Sequence, residues 1–442
     1  MLSADLEGDR PLRPLFGGGD LGPHRPSGLG QHARGHGPGP DQRTDPTFLK
    51  LRRFILDLEH DLHRDPDEHR LPTREGNKVR LLIAGGGTGG HLFPAVAVAE
   101  AWKEKDPGHE IVFVVTPRPL DARVLQERGY PFRILKVEGL KGKGTAGIFR
   151  SLTLLPKAFG ESLRILKEIR PHVVLGVGGY VTGPVVSAAW WKGIPCAVQE
   201  QNSIPGMTNR LLGRVADRIF LAFEDRKGFF PRRKIRLTGN PIRKEILQAD
   251  EERPTGSGPF TLLILGGSQG AHRINQVVIA ALKDLTKWKN ALSFIHQTGE
   301  KDEEEVAQAY REMGFEHRVQ AFISDMARVY GQARMIVARA GAMTVSEITA
   351  LGKPSLLIPF PFAAHNHQEH NARYLVESGA AEMVLEKDFT PPFFIERIRS
   401  WLDGPERLIE MGRRAAALGK RKAAEEIADE CLALAEKKSH RP

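Results

Sequence analysis

Gly85-Gly86-Gly87-Thr88-Gly89-Gly90-His91 and Gly266-Gly267-Ser268-Gln269-Gly270 are the two stretches that decide the fold of this chain. Each follows a short apolar run, at 79–84 and 260–265, and precedes a stretch with the composition of a helix. Where a strand ends in glycines before a helix, backbone N–H groups can approach a phosphate at the positive end of the helix dipole. Because this arrangement occurs twice, we predict two α/β domains that face one another across a cleft. The expected ligand is a nucleotide or a nucleotide-sugar.

From Lys78 onward, apolar strands alternate with helix-like stretches, which is typical of parallel sheets with crossover helices. The polar segment 249–258, which contains Pro and Gly, is typical of a linker, and the tail 393–438 has helical composition and period. We therefore predict an extension at 1–77, a first domain at 78–248 and a second domain at 259–442. The predicted strands are 79–84, 111–115, 173–176, 196–199, 219–222 and 235–237 in the first domain, and 260–265, 292–297, 319–322, 335–338 and 355–359 in the second.

The extension has a composition of its own. Residues 11–40 contain 9 Gly and 6 Pro, so we expect disorder, because too little apolar surface is present to offset the chain entropy. Five apolar residues then follow at helical spacing and predict a short amphipathic helix at 48–62. This helix has two interpretations, a docking or membrane-lying helix and an extension without a function. The five residues are Phe48, Leu51, Ile55, Leu58 and Leu62.

Charge and cysteine content set limits on the function. The chain has 64 Lys and Arg against 54 Asp and Glu, a net charge of +10, and the basic excess lies after residue 76. Nucleic acid, an anionic membrane face and a phosphorylated substrate are all compatible with this charge. Two cysteines cannot form a disulfide framework, so we expect a cytoplasmic location. No apolar run approaches the roughly 20 residues of a membrane span, so we expect a soluble or peripheral protein.

The sequence disfavours three classes of binding site, those for a dinucleotide, for the phosphates of a P-loop enzyme and for nucleic acid. Residues 85–90 satisfy G-x-G-x-x-G, but the second strand ends in Thr116-Pro117-Arg118, without the acid that holds a ribose in dinucleotide-binding folds. No G-x-x-x-x-G-K-[ST] loop occurs, so NAD binding is disfavoured and P-loop chemistry is excluded. The chain also has no helix-turn-helix or basic-aromatic signature, so nucleic acid is not an expected partner.

Polar segments follow five of the predicted strands. In open α/β sheets, the loops after the carboxyl ends of strands face the ligand. Turn chemistry could explain any one of these segments, since Gly and Asn are common in turns. Five of them, together with two phosphate-type loops, indicate a binding site. The segments are 176–184, 200–206, 238–243, 339–347 and 367–371.

The chain resembles the MurG family of peptidoglycan N-acetylglucosaminyltransferases, which convert lipid I to lipid II. The resemblance covers about residues 78–437, and the first 77 residues have no counterpart in the usual family pattern. It implies an α/β protein of the GT-B fold, with two Rossmann-like domains whose parallel sheets face across a cleft. The matching segments are GGGTGGH at 85–91, GLKGKG at 139–144, GVGGYVTGP at 176–184, EQN at 200–202, GNPIR at 239–243, GGSQGA at 266–271, FISDM at 322–326, GAMTVSE at 341–347 and HQEHNA at 367–372.

The resemblance implies that the second domain holds most of the donor, UDP-GlcNAc. Ile323 would frame the uracil, and Glu347 would bind the ribose hydroxyls, because a carboxylate can accept two donors from a vicinal diol. Arg243 would stabilise the leaving UDP. Further donor contacts implied by the family are Ser268, Ala342, Met343 and Thr344 at the diphosphate, and Gln368 and Asn371 at the GlcNAc hydroxyls.

In the first domain, the resemblance implies an inverting displacement by the 4-hydroxyl of the muramyl sugar. His91 is the first candidate base because its ordinary pKa lies near neutrality, and Glu200 is the second. An alternative is that His91 only binds phosphate or caps its helix. No tightly bound cofactor or metal is implied, and a requirement for Mg²⁺ stays open. The residues implied to hold the acceptor are Gly87, Thr88, Gly89 and Gly90 at its diphosphate, with Tyr180 and Asn202 positioning the sugar.

Lipid I lies in the cytoplasmic leaflet, so the resemblance implies a peripheral enzyme on the cytoplasmic side of an inner or plasma membrane. Its partners would be UDP-GlcNAc, lipid I and the anionic membrane face, with other cell-wall synthesis proteins as further candidates. Aromatic and basic residues together favour the headgroup region. The alternative is a helix that packs on the core and exposes its basic residues to solvent. The candidate contacts are Ile148, Phe149 and Leu152 within the basic segment 141–167, and Trp190 and Trp191 before Lys192.

Two other functions stay open from the sequence alone. One is another GT-B enzyme that uses a UDP-sugar, such as a glycolipid glucosyltransferase or a UDP-GlcNAc epimerase. The other is a sensor that binds a nucleotide-sugar without catalysis. The segments at 139–144 and 176–184 favour the MurG family over the first, and the full set of polar residues argues against the second.

Overall fold

A computed structural model describes residues 78–137, 145–248, 258–267, 270–363 and 366–439, with the backbone alone at 145–155 and 438–439. The predicted extension at 1–77, its helix at 48–62 and nearly all of the linker therefore lie outside the described residues. The strands are β1 Arg80–Ala84, β2 Glu110–Val115, β3 Phe132–Ile134, β4 Val173–Gly176, β5 Cys196–Glu200, β6 Arg218–Leu221, β7 Ile235–Arg236, β8 Phe260–Leu265, β9 Leu292–Gln297, β10 Glu316–Gln320, β11 Met335–Ala338, β12 Ser355–Leu357 and β13 Glu382–Met383.

Helices connect these strands throughout the described residues. Short 3-10 turns occur at Arg232–Lys234 and Thr286–Trp288. The helices are α1 Gly89–Lys105, α2 Pro119–Glu127, α3 Thr145–Ile169, α4 Thr182–Trp191, α5 Met207–Val215, α6 Lys244–Gln248, α7 His272–Leu285, α8 Glu303–Met313, α9 Met326–Gln332, α10 Ala342–Ala350, α11 His367–Glu377, α12 Pro391–Asp403, α13 Pro405–Leu418 and α14 Ala423–Ser439.

The strands form two parallel sheets, as the alternation of the sequence predicts. The first sheet has the order β3-β2-β1-β4-β5-β6-β7, and the second has the order β10-β9-β8-β11-β12-β13. All strands are parallel, but the order in which successive strands are added reverses beside the first strand of each sheet, at β1/β4 and at β8/β11. Loops on either side of such a switch point diverge and leave a crevice for a ligand. Both glycine-rich loops follow these central strands, so the topology places both at a switch point.

The predicted strands are confirmed, with shifts of a few residues at their ends, and two further strands were not predicted. β3 and β13 have three and two residues and lie at the edges of their sheets. Segments of this length carry no readable period. Edge strands also lack the continuous apolar run that burial on both faces imposes on central strands such as β1 and β8.

The last helix, α14, packs on the first sheet and its helices, although the sequence groups it with the second domain. Its apolar face, at 427, 428, 431 and 434, belongs to the core around α1 and β1. Two of its carboxylates make ion pairs with that domain, Asp429 with Lys105 and Glu430 with both Arg218 and Arg236. The tail is helical as predicted. The core against which α14 packs depends on tertiary contacts, because an apolar helical face is compatible with the core of either domain.

Candidate active site

Two glycine loops of the first sheet pack against each other, one after β1 and one after β4. Gly86 and Gly179 have φ angles of +134° and +81°, which favour glycine. A Cβ on Gly179 would lie 2.5 Å from the carbonyl oxygen of Gly86. Glycine is therefore required for the close approach of the two loops, and turn chemistry alone does not explain these residues.

His91 lies in the first turn of α1, against the second of these loops. A Cβ on Gly178 would be 2.6 Å from His91 Nδ1, so the imidazole uses the space that this glycine leaves. Burial lowers the pKa of His91 below its ordinary value of 6.5, while the charges of Glu200 and Asp121 act in the opposite direction. An imidazole with a lowered pKa is neutral at pH 7 and can accept a proton, as a general base must.

Glu200, the second candidate base, has both carboxylate oxygens engaged by the loop after β5. Oε1 accepts the N–H of Asn202 at 3.0 Å, and Oε2 accepts the N–H of Gly206 at 3.0 Å and the side-chain amide of Asn209 at 2.9 Å. The residue is 3% exposed. Its carboxylate anchors the loop from within, and His91 is the better candidate to receive a proton from a substrate.

The residues predicted to hold the acceptor differ in how available their polar groups are to a ligand. Thr88 precedes α1 in an extended conformation, and its hydroxyl makes no capping bond to the helix. Gly89 and Gly90 lie in the first helical turn, where N–H groups have no acceptor within the helix. Gly87 differs, because its N–H donates to Asp121 at 2.7 Å. Tyr180 is half exposed and can reach a ligand.

In the second domain, Glu347 is a partly buried carboxylate on α10. The hydroxyl of Tyr330 donates to its Oε2 at 2.8 Å, which leaves Oε1 for a ligand. Burial raises the pKa of Glu347, and the bond from Tyr330 and the charge of Arg243 reverse part of this rise. Gln297 also bridges Ile323 and Gly267, because its side chain accepts the N–H of the first and donates to the carbonyl of the second.

Arg243 lies between the two sheets. Its guanidinium carbon is 4.4 Å from the ring centre of Phe93 on α1, and its charge acts on Glu347 of α10. Among the described residues, its buried Nε has no hydrogen-bond partner. A guanidinium with an unused N–H is suited to bind phosphate oxygens. The nearby first turn of α10, at 342–344, contains no acidic side chain and leaves its positive end available to an anion.

The two amides predicted to bind GlcNAc hydroxyls are held by the protein itself. Gln368 accepts the N–H of Phe360 at 2.9 Å. Asn371 is fully buried, accepts from the N–H and hydroxyl of Ser203 at 3.1 and 2.9 Å, and donates to the carbonyl of Ala340. Each amide is thus fixed in orientation, and Gln368 is partly exposed whereas Asn371 has no exposed surface in this structure. Ser203, next to Asn202, was not predicted from the sequence.

Several predicted residues lie outside the described residues or are described by their backbone alone. Ser268 lies outside the described residues, as do the side chains of Ile148, Phe149 and Leu152. Trp190 is 47% exposed, and Trp191 is half buried. The second half of α3 packs into the core through residues 165, 166 and 169. In the described part of the chain, no helix is long and apolar enough to cross a membrane, and no side-chain cluster could hold a metal ion.

Asn240 connects the two halves of the site and was given no role by the sequence. It is 1% exposed and accepts from the side chain of Gln199 at 2.7 Å. Its Nδ2 donates to the carbonyl of Gln201 at 3.1 Å and to the hydroxyl of Ser346 on α10 at 2.9 Å. Within its Gly-Asn-Pro context a turn residue was the simpler interpretation. Only the tertiary structure shows that its amide joins β5 to α10.

We expect Asn240→Ala to lower the free energy of unfolding by about 1–3 kcal/mol, because it leaves the buried Gln199 amide without its acceptor. Denaturant unfolding would measure the change. Asn290→Ala is the control, since Asn290 is an exposed turn residue, for which we expect less than about 0.5 kcal/mol. Equal stabilities of the two variants would contradict a linking role for Asn240.

The chain matches glycosyltransferase family 28 in two parts, the N-terminal domain at 81–221 and the C-terminal domain at 261–427. It is 49% identical over 356 residues to the UDP-N-acetylglucosamine–N-acetylmuramyl-(pentapeptide) pyrophosphoryl-undecaprenol N-acetylglucosamine transferase of Anaeromyxobacter sp. (strain K). It is 47% identical over 356 residues to the Myxococcus xanthus (strain DK1622) protein of the same name. Each alignment covers 80% of this chain and 93% of the relative.

Solved structures give the same result for the fold. MurG of Acinetobacter baumannii aligns with a TM-score of 0.65 at 30% identity, over 80% of this chain and 99% of its own. The UDP-GlcNAc 2-epimerase of Neisseria meningitidis, solved with UDP-GlcNAc bound, aligns with a TM-score of 0.56 at 16% identity, over 80% and 100%. The second similarity extends to the fold alone. The predicted GT-B architecture is confirmed.

Proposed function

The chain belongs to the MurG family of glycosyltransferase family 28, and we propose that it transfers GlcNAc from UDP-GlcNAc to the 4-hydroxyl of undecaprenyl-diphospho-MurNAc-pentapeptide. The acceptor is lipid I and the product is lipid II, the precursor of peptidoglycan. The observation that carries this proposal is the buried Nε of Arg243, which has no partner among the described residues, on a guanidinium that lies over Phe93 of α1 and acts on Glu347 of α10. A diphosphate leaving group would satisfy that N–H.

The proposed reaction is a single inverting displacement. The 4-hydroxyl oxygen forms a bond to the anomeric carbon of GlcNAc, and the bond from that carbon to the UDP oxygen breaks. The hydroxyl proton passes to neutral His91, and UDP leaves with the electron pair. Arg243 and the first turn of α10 stabilise the negative charge that develops on UDP. Attack from the face opposite UDP gives a β-linkage.

The two substrates occupy opposite sides of the crevice in this proposal. Glu347 holds the ribose hydroxyls, Ile323 frames the uracil, and Ser268 with the helix start at 342–344 binds the diphosphate of the donor. Gln368 binds the GlcNAc hydroxyls, and Asn371, which is fully buried in this structure, joins them only when its amide becomes accessible. On the acceptor side, the loop at 88–90 takes the diphosphate of lipid I, and Tyr180 and Asn202 position its sugar.

Transfer of labelled GlcNAc from UDP-GlcNAc to a short-chain lipid I analogue, with UDP release followed in parallel, tests the function. We expect a β-1,4-linked product and stoichiometric UDP. Release of UDP without transfer would show that lipid I is not the acceptor. Binding of UDP-GlcNAc with no turnover would contradict the enzyme assignment and favour a sensor.

We also propose that the enzyme works at the cytoplasmic face of an anionic membrane, where its acceptor lies. Trp190 fits this contact, because its large aromatic side chain is exposed and lies two residues before Lys192. We expect Trp190→Ala to weaken partition onto vesicles of phosphatidylglycerol about 3- to 10-fold, measured by co-sedimentation. The control is Ile409→Ala, because Ile409 is an exposed apolar residue on α13, in the other half of the chain. Equal losses in both variants would contradict this contact.

A further inference from the structure

Asp121 is a buried carboxylate behind the first glycine loop. It lies in the first turn of α2 and is fully buried. Its Oδ2 accepts two hydrogen bonds of 2.7 Å, from the N–H of Gly87 and from the hydroxyl of Thr116. A Cβ on Gly86 would lie 2.6 Å from the same oxygen. The carboxylate of Asp121 therefore holds the loop from β1 to α1 in its conformation.

The other oxygen of Asp121, Oδ1, is buried and has no hydrogen-bond partner in the part of the chain that the structure describes. An unsatisfied buried polar atom destabilises the folded protein, so its presence needs a reason. Phosphate binding does not supply one, because a negative charge behind the loop opposes a diphosphate. The charge does favour a proton on His91, whose pKa it raises against the effect of burial.

Two carboxylates act on His91 in this way, Glu200 from β5 with the larger effect and Asp121 from α2 with the smaller. Glu200 is engaged by the loop after β5. Asp121 is bonded to the loop that leads into His91 itself. When His91 accepts the proton of the 4-hydroxyl, a charged imidazolium forms in a partly buried place, and a fixed carboxylate nearby stabilises it.

We propose that Asp121 is a positioning residue for glycosyl transfer, which holds the glycine loop through Gly87 and Thr116 and stabilises the imidazolium that His91 becomes during the reaction. This inference rests on the role proposed for His91. Because Asp121 is fully buried, it acts through the loop and the imidazole, and not on the substrates directly.

Three variants of the full chain test the inference. Asp121→Asn keeps the shape and removes the charge, and Thr116→Val removes one hydrogen bond and keeps the charge. Asp225→Asn is the matched control, because Asp225 also accepts two backbone N–H bonds, from Phe229 and Phe230, but in the loop after β6. The measurements are kcat, KM for each substrate, the pH profile of kcat/KM and the thermal unfolding midpoint.

For Asp121→Asn we expect kcat to fall about 10- to 100-fold and KM for UDP-GlcNAc to stay within about twofold. The acid limb of kcat/KM should move to lower pH, because loss of the charge lowers the pKa of His91. For Thr116→Val we expect KM for lipid I to rise about 3- to 10-fold with the acid limb unchanged. Asp225→Asn should match the wild-type kinetics and profile.

An Asp121→Asn enzyme with the wild-type kcat and acid limb would overturn the inference. If His91→Ala were inactive in the same assay, the proposed function of His91 would still stand. A fully active His91→Ala enzyme would overturn both the proposed role of His91 as base and the present inference about Asp121, since the acid limb of kcat/KM would then not belong to His91. A folded Thr116→Val enzyme with the wild-type KM for lipid I would contradict the part of the inference that concerns the loop.

Discussion

Replacement of His91 by alanine is expected to lower kcat for GlcNAc transfer about 100- to 10,000-fold, the usual contribution of a general base. The affinity for UDP-GlcNAc should not change, because His91 lies on α1 at the first sheet and the donor residues lie at the second. Steady-state kinetics with a lipid I analogue, and titration calorimetry with UDP-GlcNAc, separate the two quantities.

The pH profile gives an independent test of this base. Burial lowers the pKa of His91 below 6.5, so the imidazole is neutral at pH 7 and above. The wild-type kcat/KM should therefore fall as the pH decreases below 6.5 and His91 becomes protonated. His91→Ala should lose this limb. The control His317→Gln changes a histidine on the edge strand β10 and should keep both the rate and the limb. An undiminished kcat in His91→Ala would instead show that His91 only binds phosphate or caps its helix.

Replacement of Glu347 by glutamine is expected to raise KM for UDP-GlcNAc about 10- to 100-fold with a smaller change in kcat. The carboxylate is partly buried and has one oxygen engaged by Tyr330, and in the proposed complex its other oxygen accepts from the ribose. Hydrogen bonds to a charged group contribute about 1.5–3 kcal/mol, which corresponds to this range of affinity. A donor affinity of Glu347→Gln within twofold of the wild type would contradict the ribose contact.

Tyr330→Phe gives the matched variant, because it keeps the carboxylate and removes the hydroxyl that donates to it. Burial raises the pKa of Glu347, so donor affinity in the wild type should weaken as the pH falls through that pKa and the carboxylate is protonated. The bond from Tyr330 lowers the pKa, so the weakening should begin at higher pH in Tyr330→Phe. In Glu347→Gln it should be absent. Calorimetric titration with UDP-GlcNAc across the acid range measures all three.

The sequence alone determined the central strands, the parallel sheets, the glycine loops and the family of this protein. Central strands such as β1 and β8 are buried on both faces, so they must be apolar runs bounded by glycine, and such runs are readable. The two glycine loops, the parallel sheets and the family followed from local patterns of this kind. The residues of the donor side are proposed from motif resemblance, and in the structure the charge of Arg243 acts on Glu347.

The tertiary structure alone decided how side chains far apart in sequence share a hydrogen bond. Asp121 lies 34 residues from Gly87, and Asn240 lies 106 residues from Ser346. Each is an ordinary helix-start or turn residue by its local context, so no pattern distinguishes it. The side of the molecule that α14 covers was also undecided, because its apolar face could pack on either core. Local patterns set which residues must be buried, whereas their partners depend on which surfaces meet when the sheets and helices pack.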